Sequence, residues 1–247
     1  MMNQDNRKNV VFALVALILS AGLIISTYIA TNGIVEIKGN RTITVTGSAK
    51  QQISSDLIEW TGSFSCQSKL MPEAYAKLKA DSEKVREYLK GKGISEEDMV
   101  FSSIDTNPIY EVNYNGQYTN NIIAYRLYQR VQISSTDVDK LSRIAREATE
   151  LINEGIEFQS YPPQYYYTKI ADLKVSMLGE ATKDAKNRAE QISQNTGSSI
   201  GALKSAKMGV FQITPLYSTE VSDYGINDTS SLEKEITAVV TCTFEIK

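Results

Sequence analysis

Between Val10 and Ala30 the chain runs for 21 residues, VVFALVALILSAGLIISTYIA, without a charge. As a helix rising 1.5 Å per residue that segment is about 31 Å long, close to the thickness of a bilayer's hydrocarbon core. Arg7 and Lys8 precede it, and the next charges are Glu36 and Lys38. Positive charge on the short N-terminal side keeps that side in the cytoplasm. The expected organisation is a cytoplasmic N-terminus (1–9), a transmembrane signal anchor (10–30), a linker (31–40) and one extracytoplasmic domain (41–247), a single-pass protein of the cell membrane. The alternative is a cleaved signal peptide, which leaves the domain secreted or periplasmic. Cleavage after Gly22, with Ser20 at the −3 position, leaves an apolar LIISTYIA at the new terminus. The run also exceeds the usual signal-peptide core of about 7–15 residues. An uncleaved anchor fits better.

The chain's charge bounds its partners. Asp5, Arg7, Lys8, Glu36 and Lys38 together carry +1, so the remainder carries −4 against −3 for the whole. A net negative domain without a basic stripe has no electrostatic footprint for nucleic acid. There is no histidine at all. That excludes Ser-His-Asp and Cys-His nucleophile pairs, imidazole-ligated zinc or haem, and histidine pH switches. No Gly-rich phosphate loop, dinucleotide fingerprint or zinc spacing is present, so no cofactor and no metal are expected.

Within the outer domain the hydrophobic period alternates between two and about 3.6. Arg41–Ala49 reads as a strand, and Asp56–Cys66 as a half-buried one with Ile58, Trp60, Phe64 and Cys66 on one face. Met71, Tyr75, Leu78, Ser82, Val85 and Leu89 make a helical stripe after Pro72. Met99–Glu111 and Ile122–Ser134 read as two strands around a turn carrying Asn115-Gly116. Thr136-x-x-Asp139 resembles a capping box before a second helix with Val138, Leu141, Ala145, Ala148 and Leu151 inside. Ile156–Tyr167 reads as a strand bent or placed at an edge by Pro162-Pro163. A third helix, about Lys169 to Thr196, carries Ala171, Leu178, Ala181, Ala185, Ala189 and Ile192. Ala202–Thr214 and Ile236–Ile246 close the order as strands, separated by a polar stretch, Ser218–Lys234, that reads as a loop. The fold class is α+β, mainly antiparallel sheets packed against helices, with two β-α-β-β units (about 56–135 and 156–246) linked by a helix.

Few side chains carry chemistry. Cys66 and Cys242 fall on apolar strand faces, and an oxidising exterior permits a disulfide between them, whereas two buried free thiols are the other reading. Glu96-Glu97-Asp98 is the densest acidic cluster and reads as a solvated turn. Ser231-x-x-Lys234 has the spacing of a serine–lysine nucleophile but lies in the expected loop, where a lysine stays hydrated. Fourteen tyrosines include a cluster at Tyr110, Tyr114, Tyr118, Tyr125 and Tyr128 and another at Tyr161, Tyr165, Tyr166 and Tyr167. Tyr110, Tyr114, Tyr118, Tyr165, Tyr166 and Tyr167 form a candidate contact surface, because an exposed phenol buries area while keeping a polar tip.

From Ile43 onward the chain resembles the SIMPL-domain family of bacterial periplasmic or secreted proteins. The stretches that carry the likeness are TVTGSAKQQISSDLIEWTGSFSCQSKLMPEAYAKL, VREYLKGKGISEEDMVFSSIDTNPIYE, YRLYQRVQISSTDVDKL and, most specifically, EATKDAKNRAEQISQNTGSSIGAL at 180–203. The resemblance implies an α+β fold, large ring-like homo-oligomers in some relatives and, for bacterial members, a link to oxidative-stress tolerance and surface immunogenicity, and it implies no catalytic residues. The resulting expectation is a non-enzymatic, membrane-anchored, self-associating scaffold or stress-related envelope factor. The alternative is a ligand-binding or sensory ectodomain.

Overall fold

A computed structural model of the chain describes the backbone of residues 4–38 and 41–247 and the side chains of residues 11–32 and 41–247. In chain order the elements are α1 (Gln4–Lys38), β1 (Thr42–Ser54), β2 (Leu57–Ser68), α2 (Met71–Gly91), β3 (Met99–Phe101), β4 (Asp105–Val112) and β5 (Tyr118–Ser135). Then follow α3 (Val138–Glu147), β6 (Glu157–Ser160), β7 (Gln164–Tyr166), α4 (Ile170–Asn195), β8 (Ile200–Met208), β9 (Gln212–Pro215), β10 (Ile226–Asn227) and β11 (Glu233–Ile246). Short 3-10 turns occupy Glu96–Asp98 and Ala148–Glu154. The result is an α+β fold with two mostly antiparallel sheets, in which β9 and β10 pair in parallel.

The apolar run lies inside α1, where Val11–Asn32 is long and apolar enough to cross a membrane, a description a signal sequence meets as well as an anchor. Its serine and threonine hydroxyls are satisfied within the helix: Ser20 donates to the Leu17 carbonyl, Thr27 to Leu23 and Thr31 to Thr27. Such back-bonding makes polar side chains tolerable in an apolar medium. Helix α1 continues through residues 31–38, which the sequence reading assigned to a linker. The side chains of Arg7, Lys8, Glu36 and Lys38, on which the expected orientation rests, and residues 39–40 lie outside the described residues.

The chain divides into two compact units. One comprises residues 1–48, 180–209 and 239–247; the other comprises residues 49–179 and 210–238. In the first unit β11 has β1 on one side and β8 on the other. Cross-strand threonines join β1 to β11, Thr44 to Thr243 at 2.9 Å and Thr46 to Thr241 at 3.1 Å. Helix α4 meets β1 so closely that its backbone touches Gly47. A Cβ there would sit 2.2 Å from the Ala181 carbonyl oxygen and 2.3 Å from the Ala185 nitrogen. This is why the helix is striped with alanine: larger side chains at 181, 185 and 189 would hold the backbone away. The buried face of α4 is Leu173, Met177, Ala181, Ala185, Ala189 and Ser193, a strict four-residue repeat, whereas Ala171 and Ile192 of the expected stripe are exposed.

The second unit contains the six-stranded sheet, with β5 between β3 and β2 and β6 beyond β2; β4 extends β5 and β7 extends along β2. Its core joins Ile58, Trp60, Phe64 and Cys66 of β2 and Leu127, Val131 and Ile133 of β5 to Leu78, Val85 and Leu89 of α2 and to Leu141 and Ile144 of α3. Two details differ from the sequence reading. The cap of α3 is Asp137, whose carboxylate accepts from the Lys140 amide at 3.1 Å, and not Thr136. The second expected β-α-β-β unit is split between sheets: β6 and β7 pair with β2, while β8, β9 and β11 build the five-stranded sheet.

Candidate functional site

The β2–β5 ladder ends at Ser68 opposite Tyr125. Beyond it, among the described residues, β5 pairs only with β4, through Ala124 opposite Ile109, Ile122 opposite Tyr110 and Tyr118 opposite Val112. Residues 109–124 therefore form a two-stranded arm. Asn113 closes it, its side-chain oxygen accepting from the amides of Asn115 and Gln117, and Gly116 supplies the positive φ of +76° that the turn requires. The arm exposes large apolar side chains: Tyr114 is 97% and Tyr118 79% accessible, and Tyr110, Val112, Ile122 and Ile123 are also open. A hairpin without a third strand is marginal in water, and this one leaves its apolar side chains bare.

The second tyrosine set behaves differently. Tyr165, Tyr166 and Tyr167 are half-buried and tied into the second unit. The Tyr165 hydroxyl shares a hydrogen bond with Ser142 at 3.1 Å, and its ring packs on the core. Tyr166 hydrogen-bonds Gln164, and burial, helped by the nearby Glu59 carboxylate, pushes its phenol above the ordinary value. These three side chains are partly covered by their neighbours, whereas Tyr114 and Tyr118 of the arm are freely presented, as are Tyr217 and Tyr224 outside both sets.

Lys234 is the residue that sequence reasoning placed most differently. It lies in β11, not in a loop, and is only 2% exposed. Its ammonium donates to the Tyr165 and Asp228 carbonyls, both at 2.6 Å. Burial lowers its pKa, against the opposing pull of the Asp228 charge. Ser231 does not serve it as a nucleophile partner: the Ser231 amide donates to the Asp228 carboxylate, which also accepts from the Ser230 amide and hydroxyl. Burial alone would raise Asp228, and these donors outweigh it, so its pKa falls. Lys234, Asp228 and the three tyrosines line a small cavity of about 130 Å³. The alternation of Ile236, Ala238, Val240, Cys242 and Phe244 extends back by one step to Lys234, and that phase was the available signal.

Cys66 and Cys242 are both free and buried, so no disulfide joins them in this structure. Burial raises both thiols, and Asp81 adds to the rise at Cys66, whose sulfur donates to the Ala74 carbonyl at 3.0 Å. Thiols held protonated act as small hydrophobes. Asp81 itself, on α2, is 5% exposed with one carboxylate oxygen unpartnered, and burial raises its pKa. Glu96 pairs with Arg86 at 3.0 Å and Lys90 at 2.5 Å, which makes the acidic run a braced surface turn. Among the described residues no group of three or more Cys, Asp or Glu is placed to hold a metal ion.

The face of the six-stranded sheet turned away from α2 and α3 is polar. Glu59, Thr61, Arg130, Gln132 and Gln164 line a recess of about 530 Å³ on it, with Tyr161 and Pro162 at the β6–β7 corner. Sequence reading did not single out Glu59 or Arg130. They are 71 positions apart in the chain, and only the strand register sets them on the same face of one recess.

The chain is 25% identical over 213 residues to the uncharacterised protein YggE of Edwardsiella ictaluri (strain 93-146), covering 84% of this chain and 82% of that one. Among solved structures, an amidase of the hydantoinase/carbamoylase family from Burkholderia phymatum aligns at a TM-score of 0.28 and 13% identity, over 49% of this chain and 32% of that one. An uncharacterised conserved protein from Listeria innocua aligns at a TM-score of 0.20 and 10% identity, over 80% of this chain and 92% of that one. Neither likeness is close enough to carry an argument. The model of SIMPL, a protein family of unknown function (DUF541), matches residues 43–244, so the chain belongs to the SIMPL family.

Proposed function

We propose that this protein is anchored in a membrane by α1, presents its SIMPL domain on the extracytoplasmic side and acts there without catalysis, as a self-associating scaffold or stress-related factor of the envelope. The observation that supports the reading most is the β4–β5 arm. It presents Tyr110, Tyr114, Tyr118, Val112, Ile122 and Ile123 to solvent on a ribbon with unpaired edges. Between residues 104 and 124 only Asp105 and Glu111 are charged. Two copies of the arm therefore meet with little like-charge repulsion, and confinement to a membrane plane raises their effective concentration. The lack of histidine and the protonated state of both thiols fit a non-catalytic role.

Sedimentation of the full chain in detergent tests it. The expected result is an oligomer that the Tyr114→Ser/Tyr118→Ser double variant converts to monomer with unchanged circular dichroism. A wild-type chain that stays monomeric at high micromolar concentration would remove the basis for the reading.

A further inference from the structure

We propose that the recess on the open face of the six-stranded sheet binds a short linear peptide of three to four residues with free amino and carboxyl ends. The inference stands apart from self-association and uses a different face. Glu59 and Arg130 give the recess one charge of each sign, and neither takes part in an ion pair among the described residues. The contacts of Glu59 are uncharged: the Ser134 hydroxyl at 3.3 Å and the Tyr166 phenol. The Arg130 guanidinium lies 5.7 Å from the centre of the Tyr128 ring, and among the described residues its donors meet no hydrogen-bond acceptor.

The spacing of the two charges selects the ligand. Ser134 sits opposite Glu59 and Arg130 opposite Ser63, so the charges are offset by four residues along the strands. At a rise of about 3.3 Å per residue that is about 13 Å. An extended peptide spans at most about 3.3–3.6 Å per residue, so three to four residues bring an ammonium to Glu59 and a carboxylate to Arg130. A guanidinium holds a carboxylate through two parallel hydrogen bonds, which makes that end the more directional. Between the ends, the facing pair Thr61 and Gln132 offers hydroxyl and amide groups that both donate and accept, the pattern a peptide backbone requires, while Gln164 stands opposite Glu59 at the ammonium end. A single amino acid is too short to reach both charges, and a neutral sugar leaves both unused. The volume of about 530 Å³ lies inside the range of roughly 300–1,000 Å³ typical of small-ligand sites.

Calorimetry on the full chain in nanodiscs, with trialanine and tetra-alanine as probes, tests the proposal. Saturable one-to-one binding is expected, weakened at least tenfold by acetylating the amine or amidating the carboxyl end. In Glu59→Gln the N-acetyl cap should cease to matter, and in Arg130→Gln the C-terminal amide should cease to matter. Both positions reach the surface, and the fluorescence of Trp60, the chain's single tryptophan, checks that the second unit is intact. The arm variant Tyr114→Ser/Tyr118→Ser should bind the probes as the wild type does, which separates this site from self-association. No saturable binding of either free-ended peptide, equal binding of doubly capped peptides, tighter binding of free alanine or maltotetraose, or two variants that bind as wild type would each overturn it.

Discussion

Gly47→Ala places a methyl group against three main-chain atoms of α4: the Ala181 oxygen at 2.2 Å, the Ala185 nitrogen at 2.3 Å and the Ala185 Cα at 2.7 Å. Carbon atoms in good contact sit about 3.5–4.0 Å apart, so relief requires α4 and β1 to separate by roughly 1 Å. That movement stretches the 2.9 Å hydrogen bond from the Ser48 amide to the Asp184 carboxylate and lifts Ala181, Ala185 and Ala189 from their contacts. Overpacking costs about 1–3 kcal/mol, and a hydrogen bond to a charged group is worth about 1.5–3 kcal/mol. The substitution is therefore expected to cost about 3–5 kcal/mol, a large share of a typical domain stability of about 5–15 kcal/mol. Urea unfolding followed by circular dichroism gives the total, and hydrogen exchange at residues 42–48 and 181–195 localises the loss. Two controls sharpen it. At Gly62 a Cβ meets the tip of the Phe158 ring at 2.5 Å, which can tilt, so Gly62→Ala should cost about 1–2 kcal/mol. Ala185→Gly leaves the clashing nitrogen and Cα in place, so added to Gly47→Ala it should rescue nothing and cost about 1 kcal/mol more. A Gly47→Ala chain destabilised by under 1 kcal/mol, or one restored by Ala185→Gly, would refute the close-contact account.

Further expectations concern the second unit. The Trp60 indole donates to the Ser160 hydroxyl at 2.9 Å, which in turn donates to the Ala145 carbonyl at 2.6 Å; Ser160→Ala should cost about 1–3 kcal/mol in fluorescence-detected urea unfolding. Lys234→Met removes the donor to the Tyr165 and Asp228 carbonyls and should cost about 2–3 kcal/mol, with hydrogen exchange rising at 226–231; unchanged exchange there would argue against the clamp. Burial raises Asp81 above its ordinary value of 3.8, so the folded state holds that proton more tightly than the unfolded chain. The stability it lends is present below about pH 3.8 and is lost as pH rises through the folded pKa. Asp81→Asn should thus be the more stable chain at pH 7, with its advantage vanishing in acid. An advantage independent of pH would show that desolvation is not the cause.

Where sequence patterns report on a face of one element, they were readable. Ile58, Trp60, Phe64 and Cys66 fill the core from β2 as their alternation implies, and Asn115-Gly116 marks the end of the arm. The cysteines sit on inner faces for the same reason. Misplaced features depend on what another segment brings. Lys234 looked hydrated because lysine usually is, yet two carbonyls from Tyr165 and Asp228 receive its ammonium. The α4 stripe is set by contact with Gly47, which selects a strict four-residue spacing over the mixed spacing that apolar character alone suggests. Tyr165 follows Pro162-Pro163 on the short β7, and the Ser142 and Lys234 contacts that hold it come from α3 and β11. The Glu59–Arg130 recess exists only in the register of β2 against β5.

The claim that matters most is that the exposed arm contacts another copy of the same chain. A photo-reactive phenylalanine analogue placed at position 114 and irradiated in intact cells tests it directly. The account predicts a crosslinked product at twice the chain's mass that contains only this protein and that disappears when the analogue is moved to the buried position 60. A product joining position 114 solely to other proteins, or no product from a chain that is present in the membrane, would contradict it.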